Sequence, residues 1–533
     1  KKSKILTNQH PPKISLNNAF DCFPALKQCL DYHKINKKQD LEALRKFGKT
    51  VNDVIVPLGI ECEAHPPVLK QHNGYGHRVD NIHVSSAWNT LKAFSIKHRL
   101  AGEYPNGFER TARLQQFAKV FMFSAHSATY ACPLSMTDGG AKLCQVAQTQ
   151  SNCDEEKRFL CETFDHLVSR DPRIGQTCGQ WMTERTGGSD LSGCETIAKH
   201  EKGRIYQLYG EKYFTSSILS ENAFTLARID NDKHLSLFGV HLVRPGPNIP
   251  IKGIRVKRLK DKMGTIALPT AELQLEGVQA VLIGERGRGV ALISVLFNLT
   301  RIWCAICSCS AMGVAVAYAK DYAQRRVAFG RLLHDNAMHV SILARQEAFF
   351  RGALELSFEC VALMGSVEER PQSTGEESLM LRILTPLAKL YCSWSAANTI
   401  AQTIECLGGL GYMKDATPLP RLLNDQFANV IWEGTSSVLS LDLIRVLKRE
   451  SEAFPMLLKK FSSMLNEGET NESSVQHAHG ILQKSLKTCE NYLKVVSKRR
   501  GEYQTANARH FAFLLATTVC GCLLWRQYQH QKL

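Results

Sequence analysis

The sequence predicts an α+β protein in which a helical domain, an antiparallel β domain and a helix bundle with a helical extension follow one another. The spacing of apolar residues changes twice, from a helical period to short alternating segments and back. The length of 533 residues exceeds the ~100–200 residues of one domain. The composition, 44% hydrophobic and 22% charged, is globular and excludes a wholly disordered, collagen-like or multi-spanning membrane chain.

The first two segments are a leader and a helical domain. Residues 1–40, with Pro11-Pro12 and scattered lysines, predict an irregular leader. Residues 41–178 predict the N-terminal helical domain, because apolar residues recur at helical spacing in stretches such as 41–58 and 87–96.

The β domain, the helix bundle and the extension follow. Residues 179–283 predict antiparallel strands, because short alternating segments are joined by Gly, Asn and Pro turns. Residues 284–450 predict the C-terminal helical domain, whose apolar runs are long enough for a bundle. Residues 451–533 predict a basic helical extension, most of which follows the polar stretch 466–474.

The net charge of +16 suggests attraction to a polyanion such as nucleic acid, an anionic membrane or a phosphorylated cofactor. The basic residues are dispersed, except for the cluster Lys498, Arg499 and Arg500 in the extension. Nucleic-acid binding through this cluster is one interpretation, and a solvated helix or an oligomer contact is the other.

The 18 cysteines are about 3% of the chain, well below the ~8–10% of disulfide scaffolds, and favour a reducing, intracellular environment. Cys304, Cys307 and Cys309 lie in an apolar stretch without a second ligand pair, so we expect core residues and no metal site. The uncharged run 511–525 is shorter than the ~20 residues that cross a bilayer, so no transmembrane segment is predicted. Cytoplasm and mitochondrial matrix both stay open as compartments, because the sequence starts at Lys1 and is compatible with a trimmed targeting peptide.

A lone carboxylate, Glu433, follows an apolar run and Trp432 and precedes Gly434 and Thr435. Backbone amides and hydroxyls at a helix start can face a polar ligand, and apolar surroundings raise the pKa of a carboxylate toward that of a useful general base. A glutamate that merely caps the following helix is the alternative interpretation.

Two glycine-containing loops are candidate ligand contacts. Thr183 and Ser189 lie beside Gly187-Gly188, where the backbone can approach an anion or a flat heterocycle without side-chain obstruction. The segment 407–412 forms a second glycine turn. Neither loop fits the G-x-G-x-x-G pattern, so a Rossmann fold is excluded, and ordinary turns remain an alternative for both.

The segment 325–332 places an arginine pair next to Phe329 and Gly330. Such a combination suits a phosphate contact at a helix end. A solvated helix terminus explains it equally well.

Taken together and in this order, these segments resemble the acyl-CoA dehydrogenase family of flavoproteins over residues 100–445. Ala131-CPLSMTDGG, the W-E-G sequence and the segment 419–422 resemble the AidB-like branch of that family. The motifs that carry the family resemblance are Thr183, Glu184, Gly188, Ser189 and Asp190; Gly210, Lys212, Phe214 and Ser216; Arg326, Phe329 and Gly330; the glycine turn; and Glu433, Gly434 and Thr435.

The resemblance implies an FAD cofactor between the β domain and the second helical domain, with an acyl-CoA thioester against the flavin. Glu433 would be the base that takes the α proton, while the β hydrogen leaves as hydride to flavin N5. A flavin ribityl hydroxyl and the backbone N–H of Glu433 would stabilise the enolate-like charge. The implied cofactor contacts are Trp181, Met182, Thr183, Ser189, Phe214, Ser216, Arg326, Phe329, Gly408, Gly409 and Thr435. The implied substrate contacts are Ser189, Asn298, Arg301 and Gly434.

Three residues depart from the family's usual pattern. Asn298 replaces an Asp, Glu405 stands where many relatives carry Gln, and Trp432 is bulkier than the usual Tyr. A glutamate near the FAD phosphates must turn away or pair with a cation, because like charges repel strongly there.

The resemblance predicts FAD-dependent α,β-desaturation of a medium- to long-chain fatty acyl-CoA by a homo-oligomer, commonly a dimer of dimers, since Arg326 and Phe329 would reach the FAD of a neighbouring subunit. An alternative is a binding protein that sequesters acyl-CoA and so regulates lipid metabolism. A second alternative is an AidB-like flavoprotein associated with nucleic acid. The sequence does not predict the electron acceptor.

Overall fold

The computed structural model describes residues 16–103, 110–230, 232–242, 244, 246, 249–370, 375–467, 472–498 and 501–532, with backbone only for 110, 496–498 and 504. The helices are α1 Pro24–Tyr32, α2 Lys38–Thr50, α3 Val56–Ala64, α4 Ser86–Lys97, α5 Arg110–Ser124, α6 Ala131–Gln150, α7 Asp154–Leu167, α8 Gly289–Arg325, α9 Ala337–Glu369, α10 Gly375–Leu407, α11 Gly409–Tyr412, α12 Leu419–Ile431, α13 Ser436–Arg449, α14 Ala453–Asn466, α15 Ser473–Lys498 and α16 Glu502–Lys532. The strands are β1 Val68–His72, β2 Arg78–His83, β3 Cys178–Trp181, β4 Ile197–Lys202, β5 Ile205–Thr215, β6 Asn222–Ile229, β7 Ser236–His241, β8 Ile254–Leu259, β9 Ala271–Ile283, β10 Val327–Ala328 and β11 Arg331–Leu332.

The chain folds into two units that are discontinuous in sequence. The helical unit consists of Lys1–Asp53, Glu109–Ala125 and Cys304–Leu533. The β-containing unit consists of Val54–Phe108 and His126–Trp303. Helix α8 therefore starts in the β-containing unit and ends in the helical unit.

A seven-stranded sheet dominates the β-containing unit, in the order β3-β6-β4-β5-β9-β7, with β8 paired to β9. Strand β6 also pairs with β7, so the strands β6, β4, β5, β9 and β7 form a closed ring of paired strands. The pairs are antiparallel except β3–β6 and β4–β6, which are parallel. The predicted β domain is confirmed, and two of its pairings differ from the antiparallel pattern.

Two apolar layers fill this unit, one on each side of the sheet strands. One contains Trp181, Leu208 and Phe238, all of them almost completely buried. The other packs helices α6 and α7 against the sheet through residues such as Leu143 and Leu160. Burial on both sides fixes the strand register, and hence the position of the loops that leave β3 and β5.

Long helices form the helical unit. Helices α9 and α10 pack along each other, and α5, α12, α13 and α16 pack against them. Apolar residues recur at every fourth position of α16 and form one side of the helix. They are Phe511, Leu515, Val519 and Leu523, each 0% exposed. The predicted extension is therefore part of the core of this unit.

Buried charges also tie α16 to the unit. The Arg526 guanidinium pairs with Glu359 at 2.6 Å and Glu355 at 3.1 Å, both on α9. Lys460 of α14 reaches Glu359 at 2.7 Å. Burial raises the pKa of Glu355 to about 7, whereas the pKa of Glu359 is lowered because Arg526 and Lys460 more than offset its burial.

Two local predictions differ from the structure. The leader, residues 1–40, is not irregular throughout, because Pro24 starts helix α1, which buries Leu26 and Leu30, and α2 begins at Lys38. The predicted helical domain also contains the hairpin β1–β2. Residues 1–15 and the side chains of Lys498, Arg499 and Arg500 lie outside the described part of the chain.

Two helices of the described chain, Gly289–Arg325 and Thr505–Lys532, are long and apolar enough to cross a membrane. In their most apolar windows, 50% and 61% of the residues are buried inside the protein. A core helix meets the same criteria, so length and composition carry no membrane assignment.

Candidate active site

The first group of candidate residues lies where β3 ends. Trp181 is 1% exposed and Met182 is 8% exposed, and the carbonyl of Trp181 accepts a hydrogen bond of 2.6 Å from the Thr225 hydroxyl. Thr183 is half-buried, and its carbonyl accepts from the backbone N–H of Tyr213 at 2.9 Å. This bond joins the loop after β3 to strand β5.

Gly188 faces Thr183 across the turn of this loop. A Cβ at position 188 would come within 3.2 Å of the Thr183 side chain, so any larger residue would crowd the threonine. Ser189 next to it is exposed. The loop thus presents a hydroxyl and open backbone, which is the arrangement that close approach of a flat ligand requires.

A fully buried ion pair holds the loop in place. The Lys212 ammonium lies 2.6 Å from Glu184 Oε1 and also donates to the carbonyl of Leu226 at 3.0 Å. Glu184 accepts further bonds from the Thr196 hydroxyl at 2.5 Å and the Cys194 thiol at 3.0 Å. Burial raises the pKa of Glu184, but the charge of Lys212 and these hydrogen bonds bring it below its ordinary value. The glutamate therefore stays ionised as an anchor.

Phe214 and Ser216 lie at the end of β5, where the register with β9 shifts between Lys212 and Thr215. This bulge turns Phe214 outward, so that 47% of it is exposed. The Lys260 ammonium lies 4.5 Å from the Phe214 ring centroid. The Ser216 hydroxyl lies 3.3 Å from that of Thr270.

Lys260 was not predicted as a site residue. Its ammonium lies 3.1 Å from the Tyr213 ring centroid, and both Lys260 and Arg258 pair with Glu272. The hydrogen bond from Arg258, followed by those of Lys260, lowers the pKa of Glu272 to about 2 although burial raises it. Basic charge and an exposed aromatic face thus meet at the end of β5.

Asn298 and Arg301 lie one helical turn apart on α8, in the β-containing unit, and both are half-buried. Residues three apart on a helix share a face. The structure therefore brings this predicted substrate pair together.

Glu433 occupies a tight turn between two helices of the helical unit. Helix α12 ends at Ile431, and Thr435 caps α13 by accepting from the backbone N–H of Val438 at 3.4 Å. The N-cap of α13 is thus Thr435, and the interpretation of Glu433 as that cap is wrong. Glu433 is half-buried with φ 58°, and Gly434 has φ 106°. A glutamate in the left-handed region is strained, which is a feature of functional turns.

A chain of hydrogen bonds supports this turn from α12. The Trp432 indole donates to the side-chain oxygen Oδ1 of Asn429 at 2.9 Å, and the Asn429 side-chain amide donates to Gln426 Oε1 at 3.0 Å. Gln426 is 1% exposed and donates to the carbonyl of Ser393 at 2.9 Å. Trp432, one of the departures from the family pattern, is therefore fixed by its own partners.

The remaining candidates lie on exposed turns of the helical unit. Phe329 at the tip of the β10–β11 hairpin is 98% exposed with φ 52°, and Arg326 before it is half-buried. Gly408 has φ 60°, and a Cβ at Gly408 or Gly409 would meet nothing within 4 Å. Glu405 is exposed, so it is able to turn toward water.

No group of three or more His, Cys, Asp or Glu side chains suited to a metal ion occurs in the described part of the chain. All 18 cysteines are free thiols, and Cys161 is the one classed as exposed.

Three family models match the chain. They are the acyl-CoA dehydrogenase C-terminal domain over residues 287–448, the adaptive response protein AidB N-terminal domain over 8–166, and the acyl-CoA dehydrogenase middle domain over 179–278. The predicted family resemblance and its AidB-like branch are thereby confirmed.

Two relatives match over most of their length. Acyl-CoA dehydrogenase family member 11 of Caenorhabditis elegans is 37% identical over 498 residues, which cover 90% of this chain and 79% of the relative. Putative acyl-CoA dehydrogenase AidB of Escherichia coli is 29% identical, with coverage of 84% and 81%.

Solved structures agree with the fold. The crystal structure of Caenorhabditis elegans ACDH-11 in complex with C11-CoA has a TM-score of 0.91 at 34% identity and covers 99% of this chain and 90% of that one. An acyl-CoA dehydrogenase complexed with FAD from Bacillus anthracis has a TM-score of 0.71 at 17% identity, with coverage of 91% and 81%, and supports the fold alone. The predicted order of helical, β and helical domains is confirmed.

Proposed function

Because the chain belongs to the acyl-CoA dehydrogenase family, we propose that it is an FAD-dependent enzyme that removes the α and β hydrogens of a medium- to long-chain fatty acyl-CoA. The enzyme class and the FAD cofactor follow from the family. The chain length rests on the C11-CoA that was bound to the ACDH-11 relative. When bound, FAD supplies the oxidant that accepts the β hydrogen as hydride.

Glu433 is the proposed base, and the observation that carries the proposal is its strained turn. The carboxylate follows the C-terminal end of α12 and precedes the capped N-terminal end of α13. Glu433 takes the proton from the α carbon, and its backbone N–H faces the thioester oxygen, where negative charge develops.

The cofactor would be held by several of the predicted contact residues. Thr183 bonds the flavin ring beside Trp181 and Met182, Phe214 stacks near it, and Ser216 donates to its edge. The half-buried hydroxyl of Thr183, the exposed ring of Phe214 and the open backbone at Gly408 and Gly409 fit a flat, phosphorylated ligand. The further proposed cofactor contacts are Ser189, Arg326, Phe329 and Thr435.

The CoA thioester would lie against a second set of residues, which shares Ser189 with the cofactor contacts. Arg301 approaches the CoA with Asn298 one turn away, Ser189 lies where the flavin and the CoA pyrophosphate approach, and Gly434 leaves room beside the base. Asn298 carries no charge, so this position places no carboxylate one turn before Arg301.

We also propose that the protein is a homo-oligomer, a dimer of dimers, in which Arg326 and Phe329 contact the FAD of a neighbouring subunit. The β10–β11 hairpin exposes two apolar side chains, Phe329 at 98% and Val327 at 55%, and exposed apolar side chains that lie together support a partner surface. Light scattering should show a smaller assembly and weaker FAD retention for Phe329→Ser than for the unaltered protein. An unchanged assembly and unchanged FAD content would contradict this role.

Anaerobic mixing of the flavoprotein with saturated acyl-CoAs of increasing length tests the reaction. We expect bleaching of the flavin with medium and long chains and none in Glu433→Gln, which should keep its acyl-CoA affinity. Glu450→Gln, an exposed glutamate just past α13, is the matched control and should bleach normally. Tight binding without bleaching in the unaltered protein would instead favour sequestration of acyl-CoA.

A further inference from the structure

Lys389 is a buried cation that none of the proposed contacts uses. It lies in the interior of helix α10, and it is 0% exposed. A lysine is almost never fully buried unless polar partners receive its ammonium. What those partners are therefore decides what the residue does.

The Lys389 ammonium bonds the backbone on both sides of Glu433. It donates to the carbonyl of Gly434 at 2.7 Å and to the carbonyl of Val430 at 3.3 Å. Val430 is in the last turn of α12, where carbonyls lack partners within the helix. One side chain thus connects the end of α12 to the residue that follows the proposed base.

This connection lies where the backbone is strained. Glu433 has φ 58° and Gly434 has φ 106°, and a left-handed glutamate persists only where its surroundings hold it. Helix α10 also holds the turn at a second point, because the carbonyl of Ser393, one turn after Lys389, accepts from Gln426. The base therefore takes its position from α10 as well as from its own segment.

We propose that Lys389 is a positioning residue whose ammonium fixes the turn so that the Glu433 carboxylate meets the α carbon of the substrate. This inference rests on the proposed function of Glu433. The ammonium bonds the carbonyls on both sides of the base, and the geometry of proton transfer depends on where that segment holds the carboxylate. Small displacements of a reacting group lower rates by about a hundredfold.

A pair of substitutions of equal length isolates the donor. Lys389→Met removes the N–H groups, whereas Lys389→Gln keeps an amide donor on a side chain as long as that of Met. Both side chains are one atom shorter than that of Lys. At saturating acyl-CoA we expect flavin reduction to slow about a hundredfold in Lys389→Met and about tenfold in Lys389→Gln. The dissociation constants for FAD and acyl-CoA should change less than about threefold in either variant, because neither ligand loses a contact.

Ser393→Ala is the matched structural control. The Ser393 side chain is 1% exposed and donates to the carbonyl of Lys389 at 2.6 Å, so its removal weakens the same helix turn. It leaves both bonds of the ammonium intact, and alanine keeps the backbone carbonyl of residue 393 that accepts from Gln426. We expect a lower melting temperature for Ser393→Ala with an unchanged rate of flavin reduction.

Two results would overturn the inference. The first is a native rate of flavin reduction in FAD-loaded Lys389→Met or, if that variant yields no flavoprotein, in Lys389→Gln. The second is a rate loss in Ser393→Ala as large as that in Lys389→Met, because it would mark a general packing defect. Glu433→Gln separates the two claims: bleaching that survives in Glu433→Gln refutes the proposed function. Bleaching lost in Glu433→Gln but unchanged in Lys389→Met refutes the role of Lys389 alone.

Discussion

Replacing Lys212 by Met tests whether the buried ion pair holds the loop that carries Thr183, a proposed flavin contact. The Lys212 side chain is 0% exposed and that of Glu184 is 4% exposed, with 2.6 Å between the charged atoms. Methionine fills similar space but leaves the glutamate without its cation. Removing one partner of a buried pair costs about 3–5 kcal/mol, because the remaining charge stays desolvated.

An exposed pair on the same sheet provides the matched control. Lys257 and Glu211 are also 2.6 Å apart, but their side chains are 35% and 34% exposed. Water and ions screen such a pair, so Lys257→Met should cost no more than about 1 kcal/mol. Arg185 also pairs with Glu211 at 3.1 Å, so the difference between the two variants measures burial together with the loss of the pairing cation.

The effect of Lys212→Met should depend on pH. In the unaltered protein the pKa of Glu184 is depressed, so the pair's contribution is complete above the unfolded pKa of about 4.3 and is lost as the pH falls through the folded pKa. Without Lys212, burial remains and raises the pKa of Glu184, so the carboxylate takes up a proton as the pH falls. We therefore expect a larger loss of stability at pH 7.5 than at pH 5.

Urea unfolding of the apoprotein and FAD titration measure the two consequences. If the substitution destabilises the folded conformation of the loop that carries Thr183 by about 3 kcal/mol, FAD should bind about a hundredfold more weakly. The double variant Lys212→Met/Glu184→Gln should regain part of this loss, since it removes the unpaired charge. Destabilisation no greater than that of Lys257→Met, or a loss independent of pH, would refute the reasoning.

Three further outcomes follow from the same contacts. Glu433→Gly should be about 1 kcal/mol more stable than Glu433→Ala, because glycine adopts φ 58° without strain, while neither variant bleaches; equal melting temperatures would contradict this. The pKa of Glu355 is raised to about 7, so ionisation of its carboxyl lowers the stability of the folded protein as the pH rises toward 7. The melting temperature of Glu355→Gln should therefore rise relative to that of the unaltered protein between pH 5 and pH 8. A difference that stays constant over this range would argue against it. A thiol reagent should modify the exposed Cys161 first, and a fast phase that persists in Cys161→Ser would show that another thiol is accessible.

Patterns that are local in sequence predicted much of this protein. The change from helical to alternating periodicity is a property of short windows, and it located the β domain. The hairpin β1–β2 was missed although Asn73-Gly74 is a strong turn signal, and the Asn73 side chain indeed accepts from the backbone N–H groups of Tyr75 and His77. Helix α1, Pro24–Tyr32, lies inside the predicted leader. Pro11-Pro12 favours irregular structure only near its own position, and the prediction extended that signal to residue 40.

Contacts between distant residues set the parts that were not predicted. The ammonium of Lys389 meets carbonyls 41 and 45 residues away in sequence, and Lys212 meets Glu184 across 28 residues. In the sequence Lys389 appears as an isolated charge in an apolar setting, whereas Lys212 directly follows another charged residue, Glu211. Such a charge indicates that a buried partner exists, but the partner is identified only once the fold brings the segments together.

The discontinuity of the helical unit has a consequence for synthesis on the ribosome. The β-containing unit ends at Trp303, so all of its residues have been made when more than two hundred remain to be added. Helix α5 is made early but packs against α9, and α9 in turn is covered by α16, whose buried side chains reach Trp525. Nascent chains therefore carry apolar helix surfaces without their partners until the residues of α16 have been made, and holding chaperones are needed most during that interval.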